Sequence, residues 1–318
     1  MSYDLDFEKP LAEIEKRLHA LRKRGDKARP DEIAGLEREL AHTTKELYGH
    51  LTPWQRVQVA RHKDRPYTAD YIRALFPDFF ELRGDRRFAD DHAILGGLAS
   101  FHGRTVMIIG HQKGRDTKER LDCNFGMAHP EGYRKAQRLM QHAERFGFPV
   151  LCFIDTAGAY IGLAAEERGI AEAIAENLRD MVLLGTPMIA TVIGEGGSGG
   201  ALGIGIADRI LMLENSIYTV SAPEAAASIL WKDTAFAPQA AEAMKITAPD
   251  LLGLGLIDRI IPEPLGGAHR DHRATAEALR TALAEEITRV CAVPLDALLR
   301  QRYERLRAIG APSEVRVS

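Results

Sequence analysis

The spacing of apolar positions divides the chain into a helical start, a middle in which strands and helices alternate, and a helical end. Leu11, Ile14, Leu18 and Leu21, then Ile33, Leu36, Leu40 and Leu47, fall at helical spacing on either side of Gly25-Asp26-Lys27-Ala28-Arg29-Pro30, which predicts a helical hairpin. The apolar stripe on each arm must cover either its own domain or a partner chain. Thr52-Pro53-Trp54-Gln55 and Thr68-Ala69-Asp70-Tyr71 read as helix starts with hydroxyl caps, Pro53 taking the first helical position. Two apolar runs, Ala93 to Ala99 and Thr105 to Gly110, flank Phe101-His102-Gly103-Arg104 and predict a β-hairpin.

Pro130-Glu131-Gly132-Tyr133 opens a helix to about Phe146, with Leu139, Met140 and Ala143 inward. From Phe148 the pattern becomes strand, glycine-containing turn, helix. Val150 to Asp155 is the first strand, Thr156 to Tyr160 its turn, and a helix runs through Glu166 to about Leu184. Pro187 to Ile193 is the second strand, Gly194 to Gly200 its turn, and Ala201 to Ile206 the packed helix beyond. Strands at Arg209–Leu213 and Ile217–Val220 follow, then a helix after Ala222-Pro223-Glu224 and helical segments at about 238–244 and 248–253. Leu256 to Leu265 returns as an edge strand stopped by prolines. A helical tail from about Thr275 to Ile309 is broken at Pro294. This alternation predicts an α/β layered fold with a partly parallel sheet, divided as a hairpin (1–50), a central domain (51–290) and a helical tail (291–318).

The candidate chemistry centres on Gly194-Glu195-Gly196-Gly197-Ser198-Gly199-Gly200. So many glycines require positive φ, close backbone approach, or both. Amides at such a turn can receive an anion or a developing oxyanion, and equally the turn can simply be packed against a neighbour. It lacks the Gly-Lys-Ser/Thr ending of a phosphate loop, and its GxGxxG letters have no supporting acidic residue after a second strand. Ser198 sits between Gly196 and Gly200 as in a nucleophile elbow. The only downstream histidines are His269 and His272, in a polar segment beside Gly266-Gly267, which argues against a serine hydrolase. Two glycine turns at the carboxyl ends of adjacent strands would aim two sets of amides at one face, suited to an enolate or a ureido oxygen. The basic run His111 to Arg120 is either a landing site for an anionic ligand or a solvated loop. Glu166 and Glu167 are candidate acids or bases, or favour the helix dipole and pair with basic neighbours. Asp155 is placed to hold its own loop through backbone hydrogen bonds.

Composition narrows the field without deciding it. The chain is 45% hydrophobic and 27% charged, ordinary for a globular protein, and a net charge of −3 gives no reason to expect nucleic-acid binding. Cys123, Cys152 and Cys291 include no CxxC pair, so a disulfide scaffold or zinc ribbon is not expected. With no leader-like start and no apolar run of about 18 residues, a soluble, cytoplasmic protein with no membrane association is the expectation.

The runs Gly110 to Arg115, Asn124-Phe125-Gly126-Met127, Pro130 to Ala136, Ala165-Glu166-Glu167-Arg168-Gly169, Val192 to Gly200, Ser228-Ile229-Leu230-Trp231-Lys232 and Ile260 to Arg270 closely resemble the carboxyltransferase alpha subunit of bacterial acetyl-CoA carboxylase. The resemblance extends from about Phe7 to Arg305. It implies a crotonase-like fold of ββα units (the ClpP/crotonase superfamily) and an α2β2 assembly with a zinc-containing beta subunit. It further implies carboxyl transfer from carboxybiotin, borne on the biotin carboxyl carrier protein, to acetyl-CoA, giving malonyl-CoA for fatty-acid synthesis, with biotin carboxylase in the larger complex. In that family alpha supplies mainly the biotin side of a site shared with beta, amides of the glycine-rich turn stabilise the ureido oxygen, and the released biotin base is thought to deprotonate the acetyl methyl. Carried onto this chain, Gly196 and Gly197 form the oxyanion hole, Gly199 and Gly200 shape the turn, and Gly158 and Ala159 lie on the facing turn. Lys113 and Arg115 are secondary candidates for contacting carrier or substrate. No metal or cofactor is expected to reside in this chain.

The sequence departs from the family's pattern around that turn. Ala157 and Ile161 stand at proline positions, Ala164 at a glycine, Ile170-Ala171 at a Gln-Ser pair, and Pro223-Glu224-Ala225-Ala226-Ala227-Ser228 where Pro-Glu-Gly-Cys-Ala-Ser is usual. Cys123 replaces an arginine and Ala128 a proline. Losing proline loosens a turn, alanine for glycine is costly where φ is positive, and Ile161 is expected to crowd the facing turn. Three readings follow: an active alpha subunit, a paralogue with altered acyl-CoA or inhibitor sensitivity, and a catalytically degenerate scaffold subunit.

Overall fold

Residues 3–23 and 30–310 are described by the computed structural model. The expected connection at Gly25 to Arg29 lies outside them, as do residues 311–318 of the tail. Helices α1 (Lys9–Arg22) and α2 (Pro30–Gly49) form the hairpin. Ile14, Leu18 and Leu36 are buried in one cluster, and Leu11 packs with Tyr48, Leu51 and Val59 in another. The stripes therefore cover this chain itself. Buried Glu8 fastens the hairpin's base, accepting from the Tyr48 hydroxyl at 2.8 Å and from Arg270 at 2.7 Å.

Helix α3 (Pro53–Ala60) starts as expected, with a reciprocal capping box between Thr52 and Gln55. Helix α4 (Thr68–Leu75) does not: its cap residue is Tyr67, whose amide donates to the Asp70 carboxylate at 2.8 Å. The Thr68 hydroxyl instead donates to the His111 carbonyl at 2.5 Å, a tertiary bond that outweighs local capping.

The strands are β1 (Phe80–Glu81), β2 (Ile94–Phe101), β3 (Arg104–His111), β4 (Val150–Thr156), β5 (Met188–Gly197), β6 (Arg209–Leu213), β7 (Ile217–Thr219) and β8 (Arg259–Ile261). They form one sheet in the order β1-β2-β3-β4-β5-β6-β8, with β7 paired to the end of β5. The hairpin end, β1 to β3, is antiparallel and the remainder parallel. His102 and Gly103 both have positive φ (47° and 74°), which gives the tight turn whose twist matches paired strands. Strand β8 lies at the edge and ends before Pro262, as the prolines predict.

Helices α5 (Thr117–Asp122), α6 (Pro130–Phe146), α7 (Leu163–Glu167), α8 (Ile170–Leu183), α9 (Ser198–Leu202), α10 (Pro223–Trp231), α11 (Ala237–Ala243), α12 (Ala248–Gly253), α13 (His272–Cys291) and α14 (Leu295–Ala308) complete the chain. Alternate residues of β4 and β5 serve opposite layers. Cys152, Ile154, Ala190 and Val192 meet α6 and α8, while Leu151, Phe153, Ile189 and Ile193 meet α4 and α13. A strand covered on both faces reads as an unbroken apolar run, which is why both were legible.

Two expectations need correction. The helix from Glu166 to Leu184 is two helices, α7 and α8, separated at Arg168 and Gly169, whose φ of 78° is the left-handed value glycine tolerates. The stretch Gly194 to Gly200 is not a turn throughout: β5 continues to Gly197, flanked by Thr156 on one side and by Tyr218 and Thr219 of β7 on the other. Only at Ser198 does the chain turn into α9, which ends at Leu202 and not at Ile206.

Candidate active site

Close approach, not positive φ, explains the glycines. None of the five is in the left-handed region, whereas Ser198 is, at φ 51°. A Cβ on Gly197 would stand 2.1 Å from the Ala157 carbonyl oxygen, and one on Gly200 would stand 2.4 Å from the Gly158 carbonyl carbon and 2.6 Å from the Ala159 amide nitrogen. Such contacts cannot exist, so the turn after β4 and the turn after β5 touch backbone to backbone only because both residues lack a side chain. Gly158 and Ala159 thus lie on the facing turn, where they were expected. A Cβ on Gly196 would stand 2.8 Å from the Tyr218 ring on the other side, whereas one on Gly199 would meet only Ile174 at 3.7 Å. The Thr156 hydroxyl closes the β4 turn, donating to the Gly158 carbonyl at 2.7 Å and accepting its amide at 3.1 Å.

An apolar cleft of about 320 Å³ opens beside these turns, lined by Ser198, Gly199, Leu202, Ile206, Tyr218 and Val220 among others. No histidine lines it. His269 is instead stacked on His62 with ring centroids 4.0 Å apart, and the His272 ring donates to the Asp64 carbonyl at 2.6 Å. Ser198 therefore lacks the base that a hydrolase needs.

Beneath the turns lies a chain of charges. Asp155 accepts the Glu195 amide at 2.9 Å and pairs with Lys113 at 2.7 Å. Glu195 in turn holds Arg61 at 2.7 Å and is 3.9 Å from Lys113, and Arg61 reaches Glu224 of α10 at 2.6 Å. Burial pulls the Lys113 pKa down, but Asp155 and Glu195 outweigh it and the pKa is raised, so the ammonium stays charged. A Cβ on Gly194 would meet the Asp155 carboxylate at 2.4 Å, which explains the remaining glycine of the strand end. Asp155 thus secures the neighbouring strand, not its own loop. His111, fully buried beside this group, has a pKa pushed down to about 4 by desolvation despite the nearby Asp155 carboxylate, so the ring is neutral.

Of the two basic-loop candidates, Lys113 turns inward and Arg115 stays partly exposed. Lys113 is the counter-charge just described. Arg115 lies 4.1 Å over the Tyr67 ring, pairs with Asp70 and donates to the Lys63 carbonyl at 2.9 Å. Glu166 and Glu167 are exposed and form no ion pair among the described residues. Ile161 does not crowd the facing turn, since 89% of it is exposed. Ala164 and Ala225 lie within α7 and α10 at negative φ, so neither alanine strains the backbone. Among the described residues one group has metal-ligand spacing, Asp4, His62 and Asp64, and it belongs to neither turn.

Glu195, Arg61 and Glu224 were not legible as site residues, and His111 was singled out only as part of the basic run. The one local signal was an acidic residue embedded among glycines. Exchanging Lys113 for methionine is expected to lower kcat for carboxyl transfer about a hundredfold with KM little changed, because it leaves Asp155 and Glu195 uncompensated and lets the turn drift. Steady-state kinetics with a beta subunit check this, and an unchanged kcat would show that Lys113 only stabilises the fold.

A largely parallel sheet extended by an antiparallel hairpin, with helices on both faces, defines a crotonase-like α/β fold. Solved structures agree on the fold. A Pseudomonas malonate decarboxylase hetero-tetramer in complex with coenzyme A aligns with a TM-score of 0.59 at 20% identity, over 75% of this chain and 94% of that chain. The beta subunit of P. aeruginosa geranyl-CoA carboxylase gives 0.56 at 15% identity, over 80% of this chain and 45% of that one. Transcarboxylase 12S gives 0.55 at 19%, over 68% and 41%. The family model described as acetyl co-enzyme A carboxylase carboxyltransferase-like matches residues 4–310. The acetyl-coenzyme A carboxylase carboxyl transferase subunit alpha 1 of Burkholderia thailandensis is 58% identical over 313 residues, 98% of this chain and 97% of that protein. The alpha subunit of Heliobacterium modesticaldum is 56% identical over 98% and 93%. The chain belongs to the family of acetyl-CoA carboxylase carboxyl transferase alpha subunits.

Proposed function

We infer that this chain is the alpha half of a carboxyltransferase that moves the carboxyl group of carboxybiotin to acetyl-CoA, giving malonyl-CoA. The observation that carries this reading is the backbone contact of the two strand-end turns beside an apolar cleft, whose lining begins at Ser198 and Gly199 immediately after Gly196 and Gly197. Carbonyl or ureido oxygens that gain negative charge are stabilised by preorganised donors such as backbone amides, and no side-chain nucleophile is needed. A compact, largely apolar ring system carrying one such oxygen fits the cleft, where Leu202, Ile206 and Val220 supply contact area and the turn supplies the donors. Carboxybiotin, delivered by its carrier protein, supplies the carboxyl group. The role of this chain is to hold the ureido oxygen, to exclude water through the apolar lining, and to keep both turns fixed through Lys113, Asp155, Glu195 and Arg61.

Alpha alone is half of the site in this reading. Two of the structural neighbours are chains of which it spans less than half. Apolar side chains also remain open near the turns: Val220 is 80% exposed, Leu163 76% and Ile229 67%. Faces of this kind mark an interface, and we assign them to the beta subunit of an α2β2 assembly, with zinc confined to beta. Biotin carboxylase is the expected further member of the complex. Among the described residues, no helix is long and apolar enough to cross a membrane. The unstrained alanines at 164 and 225 favour the active subunit over a degenerate scaffold.

The test is malonyl-CoA-dependent carboxylation of free biotin by this chain co-purified with a bacterial beta subunit. Activity is expected in the mixture and in neither subunit alone. A stable complex without turnover would overturn the reading in favour of a scaffold subunit.

A further inference from the structure

Away from the strand-end turns, α4 and α13 enclose a cleft of about 600 Å³. Arg273, Ala276, Glu277 and Arg280 lie at helical spacing on one stripe of α13, opposite Asp70, Arg73 and Ala74 on α4. Helices that pack closely bring apolar side chains together at such a seam. Here the lining holds the buried Ala276 and Tyr71, the guanidinium groups of Arg73, Arg273 and Arg280, and also Asp70, Glu277 and His272.

The cations outnumber the available carboxylates. Arg73 donates to Asp70 at 2.7 Å, but Asp70 is shared with Arg115 and also accepts the Tyr67 amide. Arg280 donates to Glu277 at 3.2 Å and to the Ala74 carbonyl at 3.1 Å, and Glu277 is itself 66% exposed. Arg273 has neither an ion pair nor a hydrogen bond among the described residues. The seven-residue interval from Arg273 to Arg280 separates their attachment points by about 10 Å along the helix. Arg73 approaches from the opposite wall.

We propose that this cleft binds a small oligophosphate, the di- or triphosphate group of a nucleotide or its inorganic equivalent. Guanidinium groups recognise phosphate oxygens through paired, charge-assisted hydrogen bonds. Three guanidiniums spread over such a length match a chain of phosphates better than a single phosphate. Bound there, the anion replaces the exposed Glu277 as counter-ion of Arg280 and provides one for Arg273. The site is independent of the carboxyl-transfer reading, because it uses none of the residues at the strand-end turns.

The probe is inorganic tripolyphosphate, titrated calorimetrically into the full chain at low ionic strength, with orthophosphate and ATP as parallel titrations. Saturable binding of one tripolyphosphate per chain is expected, weaker binding of orthophosphate, and weakening on the order of tenfold or more in the exposed double variant Arg273→Gln/Arg280→Gln. The variant Arg17→Gln, on the N-terminal hairpin, is expected to bind as the unmodified chain does. ATP binding comparable to tripolyphosphate supports recognition of the phosphate chain. Tripolyphosphate binding that does not saturate, equal affinity in the double variant, or binding of ATP alone would overturn the proposal.

Discussion

Replacing Gly197 with valine is expected to abolish carboxyl transfer in the complex with beta, by at least about 10²- to 10³-fold in kcat, the scale associated with losing preorganised oxyanion donors. The reason is geometric. Even the first carbon of the new side chain would lie 2.1 Å from the Ala157 carbonyl oxygen and 2.9 Å from that of Thr156, both backbone atoms of the facing turn. The turns must then separate, and the amides lose their common aim. Gly199→Ala is the matched comparison: its new carbon meets only the end of Ile174 at 3.7 Å, and alanine is the better helix former in α9, so activity within a few-fold of the unmodified enzyme is expected. Kinetics on both variants, with co-purification of beta as the check on assembly, decide the matter. Retained activity in Gly197→Val would remove this turn from the mechanism.

The largest effect on stability is expected at Arg302. Its side chain, on α14, has no exposure, and Asp208 beside it has 4%. The guanidinium grips both Asp208 oxygens at 2.8 Å and donates to the carbonyls of Met181 and Leu184 at 2.8 Å and of Thr186 at 2.9 Å. Asp208 also accepts the Met188 amide at 2.7 Å, at the first residue of β5. One side chain from the helical tail therefore secures the connection from α8 to the strand that ends in the glycine turn. Arg302→Met leaves a buried carboxylate without its counter-charge and three carbonyls without a donor, a loss of about 3–5 kcal/mol. Adding Asp208→Asn to that variant removes the stranded charge and is expected to recover part of it. Urea unfolding of the two variants measures both effects. A single-variant loss below about 1 kcal/mol would place Arg302 among ordinary surface contacts.

Much of the fold was legible because its signals are local. The continuous apolar runs at Val150 and Met188, the turn pair His102-Gly103, the hydroxyl cap at Thr52 and the proline stop after β8 each lie within a few residues of the element they define. The misreadings share a cause as well. Thr68 is a sound cap residue by type, yet its hydroxyl serves His111, more than forty positions away. The break between α7 and α8 depends on one glycine whose φ no periodicity reveals. The basic loop was singled out, but composition does not show that Lys113 turns beneath the sheet ends toward Asp155 and Glu195 while Arg115 turns toward Asp70.

By itself, then, the sequence determined the kinds of element, their order, the family resemblance and the stretch of glycines proposed as the site. Tertiary structure alone decided what those glycines are for. Hydrophobic period and turn chemistry are properties of neighbours along the chain, whereas the 2.1 Å available at Gly197 and the pairing of Lys113 with Asp155 are set by segments some forty residues apart brought side by side in the parallel sheet.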